Sequence, residues 1–121
     1  MLVVEDDRNN AELFRDVLEL DGHEVTIVAS LDAAAVRLDA GWEMVVVGEL
    51  TRSVGSLDME EAAQLRRLAE AAPLLLCLGN TWAHELRREE VGAAGLLPKP
   101  FRVDELRAAV RALAPVRRRR G

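Results

Sequence analysis

Leu2-Val3-Val4-Glu5-Asp6-Asp7 is a short apolar run that stops abruptly at three carboxylates. A segment this short and this apolar, bounded by charge, reads as a buried strand. The pattern recurs along the chain. Glu24 to Val28 reads as a second strand, with β-branched residues in succession, and Glu43 to Val47 as a third. Leu74 to Leu78 follows Pro73 as a fourth, and Gly95 to Pro98 is the fifth. Helical patterns separate them. Asn9 or Asn10 can cap a first helix whose apolar face is Leu13, Phe14, Val17 and Leu18, with Gly22 as its stop. Ser30 or Asp32 can cap an Ala-rich second helix, Ala33 to Ala40, that stops at Gly41. Asp58 caps a third through Ala72, with Ala62, Leu65 and Leu68 on one side. Thr81 caps a short fourth through Val91. Asp104 starts a last helix with Leu106, Val110 and Leu113 inward, ended by Pro115.

Five strand–helix units in alternation predict an α/β fold. Strands that are apolar throughout, without alternation, are those covered by helices on both faces of a parallel sheet. Right-handed crossovers then leave few topologies. The expectation is a flavodoxin-like (βα)5 three-layer sandwich with strand order 2-1-3-4-5. Its ligand crevice lies at the carboxyl ends of strands one and three, where Glu5, Asp6 and Gly48 would meet.

The chain has 121 residues, half of them apolar, which suits one domain with one continuous core. Two Trp, two Phe and no Tyr leave that core to Val, Leu and Ala. One cysteine excludes an intrachain disulfide, and Cys77 reads as a buried thiol. No apolar stretch is long enough to cross a bilayer and no leader of the secretory kind opens the chain, so a cytoplasmic location with no membrane partner is expected. The net charge of −5 includes Arg117-Arg118-Arg119-Arg120, so the body is more acidic still. That argues against nucleic acid binding by the body. Residues 1–114 are expected as the domain and 115–121 as a basic tail.

Two clusters carry candidate chemistry. Carboxylates as close as Glu5, Asp6 and Asp7 repel one another and call for a compensating cation, such as Mg²⁺ on oxygen ligands. Lys99 is the one lysine beside fifteen arginines, and it closes the fifth strand in Leu96-Leu97-Pro98-Lys99-Pro100-Phe101. His23 and His84 lack companions at metal-ligand spacing and read as surface residues. Trp82 reads as core filling.

Over nearly its whole length the chain resembles the receiver domains of two-component response regulators. The resemblance rests on the strand-one acids, on Lys-Pro after strand five, and on the distance between them. It implies that Asp6 is a direct Mg²⁺ ligand with Glu5 beside it, and that Lys99 pairs with phosphoryl oxygens across a cis Lys99–Pro100 peptide. It also implies an aspartate acceptor at the end of strand three, where this chain has Gly48. Three further positions depart from the family. Leu78 stands where Ser or Thr is usual, Leu96 replaces an aromatic, and the loop Arg52 to Ser56 keeps only an echo of the usual pattern. Metal is then expected to bind weakly or not at all, with Lys99 neutralising Asp6 or Glu5.

The reading is an atypical receiver, a pseudo-receiver, that acts through phosphorylation-independent protein–protein contact. The family's docking and homodimer face is the fourth helix, fifth strand and last helix. Glu85, Glu89, Arg102, Arg107 and Arg111 would line it here. Partners of this kind are a kinase, an output domain or another regulator. Nucleic acid would enter only through a missing output domain or the arginine tail. The alternative is a working Mg²⁺-dependent switch in which Glu49 or another acid accepts the phosphoryl group, although strand alternation sends Glu49 to the opposite face. An enzyme is not expected: the acids after strand one would repel a flavin phosphate, and no Ser-His-acid or Cys-His set is in place.

Overall fold

The computed structural model describes residues 1–37, 41–48, 59–78, 92–98 and 101–113. Five strands form one parallel sheet: β1 (Leu2–Val4), β2 (Thr26–Val28), β3 (Val45–Val47), β4 (Leu74–Leu78) and β5 (Gly95–Pro98). Their order is β2-β1-β3-β4-β5, as the pattern predicts. Four helices are described: α1 (Arg8–Leu20), α2 (Leu31–Ala35), α3 (Met59–Ala71) and α4 (Val103–Leu113). The predicted helix from Thr81 to Val91 and the arginine tail lie outside the described residues.

The strands carry two cores because alternate residues face opposite sides. Leu2, Val4, Val45, Val47, Leu74 and Leu76 pack with Leu65 and Leu68 of α3 and Ala34 of α2. Val3, Val46, Leu75 and Cys77 pack with Phe14, Val17 and Leu18 of α1 and with Leu106 and Val110 of α4. These are the two outer layers of the sandwich. Phe14 and Leu18 are almost wholly buried, and each such burial contributes roughly 1.5–3 kcal/mol.

Element ends shift by a few residues for local reasons. The cap of α1 is Asp7, two residues earlier than Asn9, and its side chain accepts the Asn9 N–H at 3.2 Å. Ser30 caps α2 by accepting the Ala33 N–H, so that helix begins at Leu31. At the end of α1, Gly22 has φ +91°. Its N–H reaches Glu19 O, and the His23 N–H reaches Leu18 O. This is a Schellman ending, which glycine adopts without strain. Leu13 is 41 % exposed and lies outside the core. The buried stripe of α1 is Ala11, Phe14, Val17 and Leu18, and Leu13 stands roughly 100° from Phe14 around the helix. His23 is half-buried, with Nδ1 3.5 Å from Glu43 Oε1, rather than a free surface residue.

A two-pronged ion pair ties α1 to α4. Arg107 Nε donates to Asp21 Oδ2 at 3.1 Å and Nη2 to Oδ1 at 2.7 Å. Arg111 approaches Oδ2 at 4.0 Å. The hydrogen bonds from Arg107 hold the Asp21 carboxyl below its ordinary range, against a smaller opposing effect of burial. A depressed folded-state pKa stabilises the fold above the ordinary aspartate range, and the benefit drains away as pH falls through the depressed value. Asp21→Asn is therefore expected to melt lower than the parent near neutral pH. The gap should close at strongly acid pH and shrink in about 1 M salt. Thermal unfolding of both proteins across pH and salt checks this.

Candidate functional site

Parallel pairing places the site. Val4 of β1 sits opposite both Val28 of β2 and Val47 of β3. One residue further on, the Glu5 N–H donates to Val28 O at 2.9 Å and the Gly48 N–H to Val4 O at 2.8 Å. Glu5 and Gly48 are thus neighbours across the two central strand ends. Alternation puts both on the face of Val3 and Val46, which is the α1 face.

Glu5 is 3 % exposed and is the one buried charged residue among those described. Its Oε2 accepts the Asp7 N–H at 3.1 Å. That bond bends the side chain back over the entry to α1 and offsets part of the cost of burying a carboxylate. The rest of the side chain lies over Gly48. A Cβ at position 48 would collide with Glu5 Oε1, and would lie 2.8 Å from Phe14 Cε2 and 3.2 Å from Glu5 Cδ. Real Cβ atoms do not approach other heavy atoms closer than 3.0 Å. The space that a side chain on β3 would use is therefore filled by the carboxylate of β1 and the ring of Phe14.

The other predicted residues scatter around this pair. Asp6 is exposed, and so is Asp7, whose carboxylate is engaged in capping. Among the described residues, no group of three or more His, Cys, Asp or Glu side chains is placed to hold a metal ion. With one Glu5 oxygen held by the Asp7 amide and Asp6 turned to solvent, the described residues do not fit a Mg²⁺ site by themselves. Leu78 ends β4, where its backbone pairs with Pro98. Leu96 is half-buried against the α2–α3 core. Glu49, Lys99, Pro100, Glu85 and Glu89 lie outside the described residues.

The residues expected to face partners on α4 have internal work. Arg107 and Arg111 reach Asp21 on α1. The Arg102 N–H donates to Glu105 Oε1 at 2.8 Å, which closes the first turn of α4. Residue patterns missed the overlap of Glu5 with Gly48. The signal was present: a long acid and a glycine, each one step past a predicted strand pair, on one face.

No protein-family model matches the chain. Curated relatives do. Transcriptional regulatory protein CpxR of Escherichia coli K12 is 27 % identical over 113 residues, covering 93 % of this chain and 48 % of that protein. Transcriptional regulatory protein TcrA of Mycobacterium tuberculosis H37Rv is 32 % identical over 116 residues, covering 94 % of this chain and 45 % of that protein. The chain spans about half the length of the curated relatives it matches. Among solved structures, the receiver domain protein of Methanospirillum hungatei, described as CheY-like, superposes with a TM-score of 0.73 at 18 % identity, over 92 % of this chain and 89 % of that one. Response regulator TrrA of Thermotoga maritima, in complex with Mg²⁺–BeF, superposes at 0.72 with 24 % identity, over 92 % and 95 %. The curated relatives are transcriptional regulatory proteins, and the fold is that of response regulator receiver domains.

The cap on α1 is testable apart from any function. Asp7→Ala removes the acceptor of the Asn9 N–H and should cost about 1 kcal/mol of stability. Urea unfolding should show a lower midpoint at an unchanged slope.

Proposed function

We propose that the chain is a receiver-type signalling domain that works without phosphorylation at the end of β3, by binding a protein partner. The observation that carries this reading is the filled space above Gly48. Covalent phosphoryl transfer needs a nucleophile in line with the donor. Glycine has none, and among the described residues the carboxylate beside it, that of Glu5, is buried and held by the Asp7 amide.

The partner is a kinase, an output domain or another regulator. The likeness to regulators about twice as long favours an output domain. In this reading the protein works in the cytoplasm, catalyses no reaction, and holds Mg²⁺ weakly or not at all. The face around β5 and α4 is the candidate surface for docking or homodimer formation. Arg102 is exposed there, while Arg107 is divided between solvent and its internal ion pair with Asp21.

Intact-mass spectrometry after incubation with acetyl phosphate and Mg²⁺ tests the proposal. The expected outcome is an unmodified chain. A labile adduct of phosphate mass overturns the reading, and its mapping to Glu49 or another acid establishes the working switch instead.

A further inference from the structure

We draw no further inference here: the strongest candidate, the surface patch on α1 where Leu13 and Leu20 stand exposed on one side of the helix, is an unpartnered apolar face, and nothing in the structure shows what covers it.

Discussion

The parallel pairing of β1 with β3 is the constraint from which the rest of this molecule follows. It aligns Val4 with Val47, and so brings the next residues, Glu5 and Gly48, together at the carboxyl edge of the sheet. A slip of one residue would turn Glu5 to the opposite face and put Gly48 beside a valine. The register is held by burial on both sides. Val3 and Val46 are enclosed by α1 and α4, while Val4 and Val47 face α2 and α3. With both faces enclosed, a slipped pairing would send each strand's residues into the wrong core.

That constraint also bears on how the Glu5 carboxylate is tolerated inside. A buried charge costs several kcal/mol unless polar groups replace the lost water. Glu5 receives the amide of Asp7, at the positive end of α1, where a negative charge is favoured. Asp7 in turn caps α1 with its own carboxylate. Strand end, buried acid and helix start are one hydrogen-bonded unit. The far end of α1 is fastened separately, by the Asp21–Arg107 pair to α4. The helix that supplies Phe14 to the site is thus fixed at both termini.

Much of this could be read in the residues before any coordinates. The five apolar runs fell where the strands are, because covered parallel strands leave little room for polar alternation. The glycine at the end of β3 and the acids at the end of β1 were legible as a site for the same reason: strand order places them together. Side-chain direction was less legible. Leu13 belongs to an apolar pattern yet is largely exposed, because a helix against a sheet buries a narrow stripe, here Ala11, Phe14, Val17 and Leu18. Arg107 looked like a surface charge, but Asp21 lies 86 residues away in sequence and is brought to it only by the fold. The overlap of Glu5 with Gly48 needed the pairing register and a side-chain rotamer together. Composition and spacing supply neither.

A site filled by its own chain has a consequence for signalling. In the proposed reading no covalent step changes the charge at the end of β3, so the site presents one electrostatic state at a given pH. Any change of conformation must then be driven by a partner that binds two states with different affinity, and by no more than that difference. A shift from 1:99 to 99:1 would demand a preference of about 10⁴-fold. Contacts among Glu5, Gly48 and Phe14 oppose such a shift, since a rearrangement of β3 against α1 would have to move a packed ring and a hydrogen-bonded acid together. The physical expectation is a domain with one dominant shape, whose information lies in which surface it offers and to whom. A module of that kind regulates by being present and bound. Its natural control variable is the concentration of the partner, acting through mass action.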